Sequence, residues 1–184
     1  MFYVDFISHS YGNIFDRISF EAAKTLIQSL LISRQDYCNS ILYGIPAVQT
    51  NKVQRLKNAA ARLLTNTPRY SHITPVMVDL HRLPVKFRII FKVILFTFKA
   101  VHGIAPSYIN SLLSLKQSRY NVRSVGNNTL ARSKIKSAKT TGDRAFAVVA
   151  PVLWNALLPS LRAVDNITSF KKQLMMHLFR KAYF

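Results

Sequence analysis

The sequence is poor in cysteine and in acidic residues, and each scarcity excludes a class of function. One cysteine in 184 residues leaves no internal disulfide, no C-x-x-C redox motif and no zinc site built from several cysteines. The five histidines show no H-x-x-x-H or H-E-x-x-H spacing, and we expect neither a metal site nor a cofactor. The seven acidic residues stand alone, whereas two-metal nucleotidyl transfer needs carboxylates that converge on the ions.

Signatures of other enzymes are also missing. The chain contains no G-x-x-x-x-G-K-[ST] phosphate loop, no G-x-G-x-x-G motif and no G-x-S-x-G elbow. A catalytic pair of Cys38 with His72 or His81 remains an alternative that no neighbouring residue supports. We therefore expect that the chain is not an enzyme, and we interpret Cys38 as a small buried apolar residue.

Uncharged apolar runs long enough to span a bilayer are missing as well. Four basic residues interrupt the most apolar stretch, Pro84 to Gly103, and two prolines break the run from Ala145 to Leu161. The amino end has no basic leader and carries Asp5, which is atypical of a signal peptide. We expect no integral membrane span and an intracellular location, nuclear or cytoplasmic.

The basic residues are abundant and unevenly distributed. The formal net charge is +19 and the isoelectric point is about 10.6. Residues 1–50 carry four acids and three bases, so nearly all of the positive charge lies in residues 51–184. This asymmetry predicts a basic face that binds a polyanion, with nucleic acid or an anionic membrane surface as the partner. The alternative is that the cations only solubilise an apolar protein, although solubilising surfaces usually mix both signs.

Hydrophobic residues make up 49% of the chain, enough for a real core, and they recur at helical spacing. Caps, prolines and glycines mark the helix ends. The predicted helices are 20–33 capped by Ser19, 36–43 ending at Gly44, 47–66, a short helix opened by Thr74 and Pro75 toward Leu80, Pro84 to His102 closed by Gly103, 107–115 after Pro106, and a terminal helix capped by Asp165 or Asn166.

Two features of these helices bear on the core and on the basic face. Offsets of four and seven place Arg88, Lys92 and Lys99 on one narrow stripe of the long helix. The stripe is either a phosphate-binding edge or a set of long side chains whose stems pack on apolar neighbours. In the last quarter, a set of apolar residues including the single tryptophan is interpreted as core: Phe146, Val149, Val152, Trp154 and Leu157.

Residues 114–144 differ in composition from the rest of the chain. They hold eight basic residues and one acid among many Ser, Thr and Asn. A long basic loop of this kind is typical of a phosphate-binding segment, with a disordered polar insert as the alternative. We therefore expect a mainly α fold, an irregular helical bundle with a long basic loop in which ARSKIKSAK is a candidate short β-hairpin.

Five strings occur in this order along the chain: SRQDYCNSILYGIP, VQRLKNAAARLLT, HITPVMVDLHRLPVKFRIIFKVILFTFKAVHGIAPSYINSLL, GDRAFAVVAPVLWNALLP and SFKKQLMMHLFRKAYF. Together they resemble the C-terminal region of LINE-type (non-LTR) retrotransposon reverse transcriptases. The similarity covers roughly Ile14 to Phe184.

The resemblance implies a region that follows the polymerase palm in a longer polyprotein. The paired catalytic aspartates and the endonuclease of that family lie upstream of this region, and neither is present here. The implied organisation is a variable N-terminal segment (1–18), a helical thumb-like region (19–115), a basic loop (116–144) and a C-terminal helical region (145–184) that packs on the thumb-like region.

The function expected from the charge and the resemblance together is non-catalytic binding of template RNA or target DNA, mostly through phosphates. The alternatives are a protein-docking module or truncated genomic remnant that packs on a polymerase palm without binding nucleic acid, and a basic protein of the membrane surface. The expected nucleic-acid contacts are Arg55, Arg62, Arg88, Lys92, Lys99, Arg119, Arg123, Arg132, Lys134, Lys136, Lys139 and Arg144.

Overall fold

The computed structural model describes residues 19–37, 39–116, 128–132 and 142–184, and this part of the chain is mainly α-helical, which confirms the predicted fold class. No β-strand forms within these residues, where an isolated antiparallel bridge joins Leu115 to Leu130. Cys38, interpreted as a buried apolar residue, lies outside the described residues. Most of the candidate hairpin in ARSKIKSAK lies outside them as well.

The described residues form helical elements in the following order along the chain. The α-helices are α1 (Phe20–Ile27), α2 (Ser33–Asp36), α3 (Ala47–Thr65), α4 (Ile73–Asp79), α5 (Val85–Val101), α6 (Ser107–Asn110), α7 (Phe146–Asn155), α8 (Pro159–Arg162) and α9 (Ile167–Tyr183). A π-helical turn spans Gln28–Ile32, and 3-10 turns span Asn39–Leu42 and Gly142–Arg144. Within the described ranges, none of these helices has the length and apolar character needed to cross a bilayer.

The chain divides into two compact units. The first comprises Met1–Arg88 together with Tyr183, and the second comprises Ile89–Ala182 together with Phe184. The division falls within α5. The organisation into segments 1–18, 19–115, 116–144 and 145–184 stays a prediction.

The core of the first unit forms where α1 meets α3. Ser19 caps α1 as predicted, since its hydroxyl accepts a hydrogen bond from the amide of Ala22 at 3.4 Å. Ala23 and Ile27 of α1 pack with Ala60 and Leu64 of α3, and Leu80 lies against this cluster. The alanines have small side chains, so the two helices pack closely here.

The start of α4 differs from its prediction. The helix begins at Ile73 with His72 at the N-cap position, so Thr74 and Pro75 lie inside the first turn instead of opening it. A proline is tolerated there because the first backbone amides of a helix have no intrahelical partner. Proline therefore marks a helix start only to within a turn.

Aromatic packing organises the second unit. Phe98, Trp154 and Phe170 are fully buried, and the ring of Phe98 stacks on that of Phe170 with 4.2 Å between centroids. The Trp154 ring lies 5.9 Å from Phe170, which confirms that the tryptophan is a packing residue. Val152, also expected in the core, is 44% exposed, so that part of the prediction was wrong.

The segment 128–132 is held on α7 by side chains. Asn155 accepts from the amide of Leu130 and donates to the Leu130 carbonyl, both at 2.9 Å, as a neighbouring strand would. The Trp154 indole donates to the carbonyl of Asn128 at 2.6 Å. Leu130 is thereby buried beside the aromatic core.

The terminal helix α9 begins as the sequence indicates. The side chain of Asn166 accepts hydrogen bonds from the amides of Thr168 and Ser169 and so caps the helix. Phe170, Leu174 and Leu178 are buried at the predicted helical spacing.

Candidate nucleic-acid interface

Asp36, the only acid in the SRQDYCNSILYGIP string, forms a bidentate ion pair with Arg88. Arg88 donates from Nε to both carboxylate oxygens of Asp36, at 2.9 and 3.1 Å, and from Nη2 to Oδ2 at 2.5 Å. Asn39 adds a hydrogen bond to the same carboxylate at 3.2 Å. Both carboxylate oxygens of Asp36 therefore accept hydrogen bonds, and the pair with Arg88 joins α2 to the start of α5. This geometry gives Asp36 a structural role.

A buried lysine lies beside this pair. Lys57 of α3 is 7% exposed, and its ammonium group donates to the carbonyl of Leu83. The pKa of Lys57 is lowered to about 8, mainly by burial and then by repulsion from Arg88 and Arg82, while Asp36 opposes the shift. The pKa of Arg82 is lowered as well, mainly by burial. Sequence reasoning missed Lys57 because nothing local marks a lysine as buried.

The cations of α3 fall into two groups with different surroundings. Lys52 and Arg55 are exposed, and the predicted contact of Arg55 with a phosphate stays a prediction. Arg62, predicted as a second contact, uses its guanidinium within the protein: it donates to the carbonyls of Pro68 and Ser71. Arg62 therefore braces the loop that follows α3.

That loop contains a hydrogen-bonded turn with two large side chains at its corners. The amide of Ser71 donates to the Pro68 carbonyl at 3.2 Å, which closes a four-residue turn. Arg69 and Tyr70 occupy the two central positions, and Tyr70 is 90% exposed. On the helix side, Asn66 adopts the left-handed conformation at φ 50° and ends α3.

The predicted stripe along α5 has half-buried members. Lys92 and Lys99 are of intermediate exposure, and Arg88 is engaged by Asp36. Intermediate exposure is expected when the aliphatic stem packs on apolar neighbours and the ammonium group reaches water. The stripe therefore presents fewer fully accessible cations than its spacing predicts.

The helix α9 carries exposed cations that were not among the predicted contacts. They are Lys171, Lys172, Arg180 and Lys181, and α9 contains no acidic residue. Phe170, Leu174 and Leu178 of this helix are buried, whereas its four cations and Met176 are exposed. Beside Lys181, the pKa of His177 is lowered, chiefly by burial and then by that lysine. A count of charges along the amphipathic helix would have found these residues.

The other predicted contacts divide between exposed positions and positions outside the described residues. Arg132 and Arg144 are exposed. Outside the described residues lie Arg119, Arg123, Lys134, Lys136 and Lys139. In the ranges the structure covers, no three His, Cys, Asp or Glu side chains come together as a metal site would require.

His102 has an environment that holds its ring in place. Its Nδ1 lies 2.9 Å from the Phe98 carbonyl, its ring stacks on Phe98 at 4.0 Å, and its Nε2 lies 3.7 Å from a carboxylate oxygen of Asp165. Both ring nitrogens therefore face acceptors at the end of α5. This arrangement is a packing contact of the second unit.

The second unit also has an open cleft of about 550 Å³ with a mixed polar and apolar lining. The wall residues are Ala100, Val101, Leu113, Ser114, Leu115 and Leu130. Leu115 is half exposed at its edge, and Ile104, Tyr108 and Leu112 are exposed apolar residues close in sequence. Such a concentration of apolar surface is typical of a contact region for another molecule.

The chain matches no protein-family model, and comparison with curated proteins and with solved structures finds no significant match.

Proposed function

We propose that this chain is a non-catalytic, nucleic-acid-binding helical region, similar to the C-terminal part of a LINE-type retrotransposon reverse transcriptase. It binds RNA or DNA mainly through phosphates and lacks the polymerase and endonuclease centres. The compartment that suits this function is intracellular, nuclear or cytoplasmic.

The observation that carries the proposal is the set of exposed cations on elements without acids. No acidic residue occurs between Asp36 and Asp79, a stretch that includes all of α3 and its exposed Lys52 and Arg55. The same holds for α9, where four cations are exposed. Unbalanced positive charge of this kind attracts polyanions and is repulsive when they are absent.

The buried apolar face of α9 favours nucleic acid over a membrane surface. A helix that lies in a bilayer interface needs an exposed apolar face to insert among the acyl chains. In α9 the apolar side chains Phe170, Leu174 and Leu178 are already buried in the protein. The cations that remain outside are suited to phosphates of a backbone.

Fluorescence anisotropy with the full chain tests the proposal. The probes are a labelled RNA hairpin, a matched DNA duplex and vesicles of anionic phospholipid, with circular dichroism confirming the helical fold. We expect binding to at least one nucleic acid and weaker binding to the vesicles. A folded chain that binds neither nucleic acid at low salt would overturn the proposal, as would tighter binding to the vesicles.

The open cleft of the second unit favours a second function, docking on a protein such as a polymerase palm. Its walls and the exposed Ile104, Tyr108 and Leu112 would be covered in such a complex. Size-exclusion chromatography with a recombinant LINE-type palm domain tests this function. Co-elution that is lost in Leu115→Glu, by a chain that binds no nucleic acid, would replace the first proposal with this one.

A further inference from the structure

The turn that follows α3 presents an arginine and a tyrosine side by side at its two corners. Its central positions are Arg69 and Tyr70, and the Ser71 amide closes it onto the Pro68 carbonyl. Turn corners usually hold proline, glycine, asparagine or aspartate, because these residues favour the backbone conformation. Arg69 and Tyr70 have no such preference, so the backbone conformation does not explain why they occupy the central positions of this turn.

The turn is braced from below by side-chain hydrogen bonds. One nitrogen of the Arg62 guanidinium donates to the carbonyl of Pro68, and the other donates to the carbonyl of Ser71 at 2.7 Å. The hydroxyls of Thr65 and Thr67 lie 2.7 Å apart at the base of the loop. Both ends of the turn are therefore fixed to α3, and Tyr70 is exposed on a backbone that these hydrogen bonds hold in place.

Tyr70 is more exposed than a tyrosine that serves as a packing residue. Its exposure is 90%, so nearly the whole ring is in contact with water. A tyrosine on a fixed backbone loses little conformational entropy on binding, and both ring faces are open to a flat partner. Stacking of a nucleobase on such a ring is a common mode of single-strand recognition.

The local charge favours a nucleobase over an aromatic side chain of another protein. No acid lies between Asp36 and Asp79, whereas five lysines and arginines do. Arg69, adjacent to Tyr70, and the exposed Lys52 and Arg55 of the preceding helix add positive charge to the same unit. A base attached to a phosphate backbone is attracted by this charge as well as by the ring.

We infer that the turn Pro68–Ser71, braced by Arg62, is a stacking site for an unpaired base of single-stranded RNA or DNA, with Tyr70 as the stacking residue. The inference rests on the proposed function and specifies the part of a nucleic acid that this turn recognises. A fully paired duplex offers no unstacked base, so the site discriminates single strands from duplexes.

The test compares Tyr70→Ala, Tyr70→Phe and wild type on a short single-stranded oligouridine and on a blunt duplex of the same length. We expect Tyr70→Ala to weaken binding to the single strand by about tenfold and to leave the duplex unchanged. Tyr70→Phe retains the ring and should bind as wild type does. The control is Tyr37→Ala, because Tyr37 is 81% exposed in the same unit but lies beside Asp36.

A second variant tests the brace separately from the ring. Arg62→Lys keeps the positive charge but cannot donate to two carbonyls from one planar group. If Arg62 braces the turn, this variant weakens binding to the single strand and not to the duplex. If Arg62 instead contacted phosphate, lysine would retain most of the affinity for both probes, and the assigned role of Arg62 would be wrong.

The outcomes separate this inference from the proposed function. Wild-type binding to both probes with no loss in Tyr70→Ala, or with an equal loss in Tyr37→Ala, overturns the stacking site and leaves the proposed function in place. No binding by a folded wild-type chain overturns the proposed function itself. Quenching of a stacking-sensitive purine analogue by wild type and Tyr70→Phe, but not by Tyr70→Ala, supports the stacked geometry directly.

Discussion

Arg88 donates hydrogen bonds from two of its nitrogens to the carboxylate of Asp36, although the two residues are 52 positions apart in the sequence. The pair joins α2 to the first turn of α5 within the first unit. Both side chains are mostly buried, at 27% and 16% exposure, so solvent screens their attraction only in part. This pair accounts for an aspartate that otherwise invites a catalytic interpretation.

Asp36→Asn should lower the free energy of unfolding by about 2 kcal/mol, because it leaves the Arg88 guanidinium without its charged partner in a partly buried place. Arg88→Met should have a similar effect, and the double variant should lose less than the sum of the two. Urea denaturation measures all three. The matched control is Asp79→Asn, since Asp79 is an exposed acid of the same unit. Equal effects of Asp36→Asn and Asp79→Asn would contradict a structural role for the pair.

Lys57 should make stability depend on pH in the alkaline range. Its pKa in the folded chain is about 8, whereas an unfolded lysine titrates near about 10.4. Between these values the unfolded chain binds more protons, so the contribution of Lys57 to folding rises with pH there and is constant below about 8. The rise amounts to about 3 kcal/mol across the window.

Denaturation of wild type and Lys57→Met at a series of pH values measures this contribution as a difference. Relative to Lys57→Met, wild type should gain stability as the pH rises from about 8 toward about 10. Lys52→Met, at an exposed position of the same helix, serves as the control. If the difference between wild type and Lys57→Met does not change with pH, Lys57 is not held in the buried environment described here.

Asn155→Ala should destabilise the second unit, because the amide and carbonyl of Leu130 would both lose their partner. The cost of two such losses at a buried site is about 2–3 kcal/mol. The fluorescence of Trp154, the only tryptophan, reports the change, since its indole binds the neighbouring Asn128 carbonyl. Gln173→Ala, at an exposed position of α9, is the comparison. Identical melting and emission in the two variants would show that the hydrogen bonds between Asn155 and Leu130 do not hold the segment 128–132.

Several helix ends and the inward face of α9 were predictable because their signals are local. Ser19 and Asn166 are caps that act on amides two or three residues away. Gly103 follows α5 with φ 67°, a conformation that glycine adopts without strain. These signals depend on neighbouring residues alone, so the sequence displays them directly.

The face of α1 was predicted less well because of a change in helix type. The π-helical turn Gln28–Ile32 inserts one residue into the repeat, which rotates the following residues by about 100°. Leu30, which recurs at helical spacing with Ala23 and Ile27 in the sequence, lies within this turn and is half exposed. No residue type within the turn marks the insertion in advance.

The roles of the cations were the hardest to predict, since they depend on distant partners. Arg62 and Arg88 were both expected to bind nucleic acid, yet one braces a turn and the other pairs with Asp36. Lys57 is buried by the packing of helices that the sequence does not place. The charge pattern thus predicts a basic protein correctly but does not assign each cation.

Neutralising the outer face of α9 should weaken binding to nucleic acid uniformly across sequences. Lys172→Gln and Arg180→Gln each remove one exposed cation of this helix. If both side chains contact phosphates, each change lowers the salt slope of binding by about one. Gln173→Ala, on the same helix, should leave the slope unchanged. Unaltered slopes in both charge variants would exclude α9 from the interface.

The dependence of binding on salt tests the central claim most directly. Anisotropy of a labelled RNA hairpin is titrated with the full chain across a series of salt concentrations, with circular dichroism showing that the chain is folded. We predict that log Kobs falls linearly with log salt, with a slope of several units, because each phosphate contact releases a condensed counterion. A folded chain with a flat salt dependence, or with no binding at low salt, would contradict the claim that its unbalanced positive charge is a nucleic-acid interface.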